Sequence, residues 1–141
     1  MGRVKLRLCA AVASALLGLS CASWFSARLD APAGARLEDA WRLYRMSEDS
    51  KAMAIAIDDV SGRRVWGIRY GYFSQESANQ AALEECHDSA KDRGLAARCH
   101  LFAVGNQRSP AAVAACNEGR APASFCNLMN ELIPPVPAGQ R

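Results

Sequence analysis

Apolar residues recur at every second position in two neighbouring stretches of the chain, and each stretch carries large side chains on one face and small ones on the other. Over residues 52–57, Met53, Ile55 and Ile57 point one way while Ala52, Ala54 and Ala56 point the other, as alternation along an extended strand requires. In the next stretch Trp66, Ile68, Tyr70 and Tyr72 share a side, opposite Gly67, Arg69 and Gly71. A four-residue loop of Val60, Ser61, Gly62 and Arg63 would pair Ile57 with Trp66, Ile55 with Ile68 and Met53 with Tyr70, placing every large residue on one face of a hairpin. The opposite face is almost all alanine and glycine.

The period then changes to that of a helix. Ala78, Ala82, Leu83, Cys86 and Ala90 form one stripe of residues 74–93, with Ser74 as N-cap, Glu76 in the first turn, and Lys91, Arg93 and Gly94 at the far end. An alanine-rich helix of this kind can lie close against the small face of the hairpin. Residues 99–106 read as a third strand, with Leu101 and Ala103 on one face and His100, Phe102 and Val104 on the other. Upstream, Leu37, Ala40, Trp41 and Tyr44 fall at helical spacing, with Glu38 and Asp39 in the first turn and Arg42 and Arg45 later, which predicts an amphipathic helix ending near Met46. Downstream, Pro110 opens a helix carrying Val113 and Cys116, and a second short helix spans residues 124–132. The expected architecture is α+β: a small, disulfide-stapled β-β-α-β unit over residues 51–106 with flanking helices. These belong to a single domain, residues 37–133, whose C-terminal helical hairpin covers 109–133. Residues 23–36 read as a linker and 134–141 as a loose, proline-rich tail. The aromatic face of the sheet is to be covered by the Trp41 helix or by the C-terminal hairpin.

The first 22 residues stand apart. Arg3, Lys5 and Arg7 precede an apolar run over residues 8–19, the pattern of an export signal. Three fates remain open: cleavage after Ala22, lipidation of Cys21 in a Ser20-Cys21 lipobox-like site, or retention of the uncharged run 8–27 as a membrane anchor. Each delivers the domain to a periplasmic or extracellular location. The membrane is then met only through the N-terminal segment.

Charge and cysteine content change with that assignment. The formal charge of +3 comes from those three basic residues, and without them bases and acids balance. A neutral domain with interspersed signs lacks the basic stripe that phosphate neutralisation needs, which argues against a nucleic-acid partner. Of six cysteines, Cys9 and Cys21 lie in the export segment, leaving Cys86, Cys99, Cys116 and Cys126. In an oxidising compartment these are expected as two disulfides, and the sequence-local pairing, Cys86 with Cys99 and Cys116 with Cys126, needs the least chain reorganisation.

Few residues suggest chemistry. The repeated dipeptides Cys86-His87 and Cys99-His100 offer zinc-type ligands, but neighbours on a strand or helix diverge, so the four do not converge on one ion. A nucleophilic cysteine needs a free thiol, and an even count leaves none evident. Glu84, Glu85, Asp88 and Asp92 around His87 read as a solvated helix face. Asp58 and Asp59 read as turn formers. No catalytic residue, metal ligand or cofactor is implied.

The order Lys51-Ala52, an alternating Ala/Ile strand ending in Asp58, a Trp66-Gly67 strand, Ala81-Ala82-Leu83 with Cys86, then Cys99 followed by Leu101-Phe102-Ala103-Val104 resembles a group of small secreted proteobacterial domains of unknown function. The resemblance covers the 51–106 unit and implies no activity; the cysteine pair after Arg108 departs from its pattern. The expectation is a non-catalytic envelope module that binds an envelope or secreted protein or serves a structural role, with Arg69, Trp66, Tyr70 and Tyr72 as candidate contacts. The alternative is a small periplasmic hydrolase or metal-dependent enzyme.

Overall fold

Six consecutive buried residues, Ala52–Ile57, form strand β1 at the centre of the molecule, and everything else is arranged to cover its two unequal faces. The structure is a computed structural model that describes residues 36–48 and 50–135. The expected export signal with Cys21, the expected linker as far as residue 35 and the expected tail beyond residue 135 lie outside the described residues. Helix α1 (Leu37–Met46) precedes β1; β2 (Arg64–Arg69), α2 (Gln75–Asp92), β3 (His100–Val104), β4 (Gln107–Arg108), α3 (Pro110–Asn117) and α4 (Ala123–Leu132) follow. The strands make one antiparallel sheet in the order β2-β1-β3-β4, so the fold is α+β.

The β1–β2 register differs from the expected one by two residues: Trp66 lies opposite Ile55, Ile68 opposite Met53 and Arg64 opposite Ile57. Asp58 causes the shift. Its N–H donates to the carbonyl of Arg63 at 3.0 Å, and its carboxylate accepts from the N–H of Val60 at 3.0 Å and from the Ser61 hydroxyl at 2.6 Å. The four-residue loop therefore runs from Asp59 to Gly62, one position earlier than expected. A shift of two keeps each side chain on its face, so the division into large and small faces survives. The strand does stop early, however. Gly71 adopts φ +73°, and Tyr70 and Tyr72 lie beyond the last strand residue, Arg69. Tyr72 consequently packs with the small-face cluster, not beside Trp66.

Against the small face, Ala52, Ala54, Ala56 and Val65 meet Ala78, Ala82, Cys86 and Ala90 of α2. Gly67 sets the distance: a Cβ there would lie 2.2 Å from the Ala82 carbonyl oxygen and 2.6 Å from the Cys86 nitrogen, so the helix backbone rests directly on the strand. Both ends of α2 are capped as its sequence indicates. Ser74 accepts from the N–H of Ser77, while the Leu95 N–H reaches the Ala90 carbonyl at 2.8 Å across Gly94, which has φ +60°.

The large face carries Met53, Ile55 and Ile57 beneath Leu37 and Tyr44 of α1 and Phe125 and Met129 of α4, so α1 and the C-terminal hairpin both cover it. Phe102 sits at the junction, its ring edge-on to Trp41 at 5.9 Å and to Phe125 at 5.6 Å. Strict alternation fails at this residue. Met53 pairs with Ala103 and Ala54 with Leu101, leaving Phe102 as the extra residue of a bulge. Phe102 and Ala103 thus both enter the large-face core, Leu101 joins the small-face cluster, and Val104 lies opposite Ala52. The short strand β4, too short to show an alternating pattern, pairs with the end of β3 just past this bulge.

Lys51 ties α1 to the sheet. It is 2% exposed, and its ammonium donates to the Ser47 carbonyl at 2.8 Å and the Arg45 carbonyl at 3.3 Å, supplying donors to orphan carbonyls at the end of α1. The Tyr44 ring lies 5.2 Å from that ammonium, and the Tyr44 hydroxyl donates to the Gly105 carbonyl at 2.6 Å. Burial pushes this phenol well above its ordinary range. The Lys51 carbonyl in turn accepts from the N–H of Gly105 and from Gln75, joining β1, the β3–β4 turn and α2.

Candidate functional site

Both expected disulfides are present. Cys86 bonds to Cys99 and Cys116 to Cys126, with Cα separations of 6.1 and 5.7 Å. The first is buried and staples α2 to the residue before β3; the second, only partly buried, closes the α3–α4 hairpin. All four sulfurs are thereby committed. His87 is exposed on α2, whereas His100 lies on the other side of the sheet against the Phe125 ring at 5.2 Å, so the two Cys-His dipeptides do not assemble into one site. Among the described residues no group of three His, Cys, Asp or Glu side chains is placed to hold a metal ion.

Burial, with Arg98 and Arg120 nearby, holds the His100 imidazole below its ordinary 6.5. As the pH falls below 6.5 the unfolded chain takes up this proton before the folded chain does. The contribution is therefore intact above 6.5 and is lost as the pH drops through the folded-state value. The urea midpoint is expected to be lower near pH 5 than near pH 7.5, with His100→Gln narrowing the gap. An unchanged gap in the variant would assign it to other groups.

Of the four candidate contacts, Trp66, Arg69 and Tyr70 lie along or just past β2, while Tyr72 packs with the small-face cluster. Trp66 is partly buried at the margin of the large face, and Tyr70 is partly exposed just past the strand. Arg69 is committed within the molecule: its guanidinium pairs with the Glu85 carboxylate of α2 and donates to the Ile68 carbonyl at 2.8 Å. Glu85 also accepts the Ile68 N–H at 2.6 Å. This corrects the reading of the α2 acids as one solvated face. Glu84, Asp88 and Asp92 are exposed, but Glu85 is turned onto the sheet edge, and its side chain is only 22% exposed.

β2 is an edge strand, and its backbone groups alternate between facing β1 and facing outward. The outward Ile68 N–H fixes the phase, so Arg64, Trp66 and Ile68 all turn N–H and C=O away from β1. At Ile68 both groups are taken by Glu85 and Arg69. At Arg64 and Trp66, among the described residues, no side chain reaches them. No protein-family model, curated protein or solved structure matches the chain.

Two open grooves lie on the surface of the described residues. One, of about 230 Å³, runs between the hairpin loop and α4, where Ser124 donates to Asp59, and is bordered by Arg64, Leu128 and Glu131. The Ser61 hydroxyl and Val60 N–H hold the Asp58 carboxyl beside it below the usual carboxylate range. The other, of about 280 Å³, lies along α1 between Trp41, Arg42, Arg45 and the exposed Met46. The first groove brings the Asp58, Asp59 and Glu131 carboxylates and the Ser124 hydroxyl together without a histidine, and the second is lined by no acid or nucleophile. Among the described residues no helix is long and apolar enough to cross a membrane.

Proposed function

We propose that the chain is an exported envelope module that binds another protein and does so without catalysis. The observation that carries this reading is the outer edge of β2, where the backbone groups of Arg64 and Trp66 face outward beside partly exposed aromatic side chains. Such an edge is a template for pairing with another chain. Two disulfides in a domain of this size point to an oxidising, non-cytoplasmic location, and the N-terminal segment is the route that would take the chain there. Intact mass of the mature protein separates cleavage after Ala22, lipidation at Cys21 and retention of the segment.

A photo-crosslinking residue placed in turn at positions 43, 60, 66 and 119, which sample separate surfaces, tests the binding role in growing cells. One discrete adduct confined to one or two neighbouring positions is the expected result. Absence of any adduct at all four would remove the reading.

A further inference from the structure

The Ile68–Arg69 corner of β2 is built as a carboxylate receptor that is already filled. An outward backbone N–H and a guanidinium converge on one carboxylate, and the carboxylate is supplied by the chain itself, from Glu85. Charge-assisted hydrogen bonds of this kind favour carboxylate over a neutral amide. Next to it along the same edge, the outward groups of Trp66 and Arg64 offer the pattern that an antiparallel strand would continue, and among the described residues no side chain caps them. A strand lying on this edge would bring its own group to the position that Glu85 holds.

We propose that the outer edge of β2 docks an extended protein segment bearing a carboxylate, which displaces Glu85 from Arg69 and Ile68 while the segment's backbone pairs with Trp66 and Arg64. Glu85 is then a resident stand-in that keeps the edge closed until such a segment arrives. The occupant follows from charge complementarity. β2 reads Arg64-Val65-Trp66-Gly67-Ile68-Arg69, so the same strand of a second copy would bring two further arginines and no carboxylate to replace Glu85. Arg64, exposed and without an ion pair among the described residues, favours an acidic segment at the other end of the strand. The proposal rests on the binding-module reading and narrows it to one edge and one ligand chemistry.

The probe is a blocked hexapeptide of alternating valine and threonine that carries one glutamate, compared with its glutamine counterpart, titrated into the full mature chain and followed by backbone amide resonances. The glutamate peptide is expected to shift the amides of Arg64, Trp66 and Ile68 and to slow exchange at Arg64 and Trp66. The glutamine peptide should bind about threefold more weakly, and Glu85→Gln should strengthen binding of the glutamate peptide by a similar factor, in the range typical of a partly exposed ion pair. Equal affinity of the two peptides would overturn the carboxylate role, and no shift at β2 in either the parent or the Glu85→Gln chain would overturn docking. Dimerisation of Glu85→Gln without peptide, seen by light scattering, would give the edge to a second copy and overturn the proposal. A crosslinked adduct at position 43 or 119, with β2 unmoved by peptide, would overturn strand docking while leaving the binding-module reading in place.

Discussion

Gly67→Ala is expected to destabilise the domain by about 3 kcal/mol, at the upper end of what overpacking by one methyl group costs. The new Cβ would sit 2.2 Å from the Ala82 carbonyl oxygen and 2.6 Å from the Cys86 nitrogen. Those atoms belong to helix backbone, which cannot rotate aside as a side chain can. Nor can α2 retreat easily, because Cys86 is bonded to Cys99 and Glu85 is hydrogen-bonded to β2. Gly71→Ala is the comparison: nothing lies within 4 Å of its Cβ position, and its only penalty is the φ of +73°, about 1 kcal/mol. Urea denaturation of the oxidised proteins distinguishes the two. Equal losses at both positions would mean that backbone conformation, and not the approach of α2, is what Gly67 provides.

The second large effect concerns the staples. Replacing Cys86 and Cys99 together by alanine is expected to cost about 4 kcal/mol, roughly 3 from chain entropy over a loop of this length and the remainder from packing lost at two buried sites. The corresponding Cys116 and Cys126 double variant should lose about 3 kcal/mol, since its loop is of similar length and its cysteines are only partly buried. The same difference in burial sets the order of reduction. Under a mild thiol reductant, alkylation and peptide mapping should find Cys116 and Cys126 labelled first; the reverse order would contradict the arrangement described. Because small domains are stable by only about 5–10 kcal/mol, losing both bridges removes most of the margin. The chain should accordingly be poorly folded in a reducing compartment.

Much of this architecture is legible from side-chain size and spacing. The Met53-Ile55-Ile57 and Ala52-Ala54-Ala56 alternation shows two unequal faces, and Ser74 and Gly94 mark the ends of α2 within a residue. The disulfide pairing follows from proximity along the chain. What spacing does not show depends on single side chains acting at a distance or against periodicity. The register shift comes from Asp58 bonding its own turn, a local choice that leaves the faces unchanged and so has no trace in the hydrophobic pattern. The bulge at Phe102 breaks alternation inside an otherwise uniform apolar run, where Phe102 and Ala103 are both acceptable core residues in sequence. At the candidate site, Trp66 and Arg69 are legible as an aromatic and a cation in a strand. Glu85 is not, because Glu84, Glu85, Asp88 and Asp92 stand close together on α2 and only the rotation of the docked helix decides which one reaches the edge.

The buried cap at Lys51 has a chemical consequence. Lysine occurs at three positions in the chain, and of the two that are described, Lys51 is sealed beneath α1 while Lys91 stands exposed on the last turn of α2. Basic surface in the described residues is otherwise supplied by arginine, which does not acylate under mild conditions. An activated ester applied to the folded domain should therefore modify the Lys91 side chain and spare Lys51, and trypsin should pass over the Lys51–Ala52 bond until the domain unfolds. Among the described lysines Lys91 is the exposed one, and it lies on α2, away from the α1 cap, so dyes or surfaces can be attached there without entering the core.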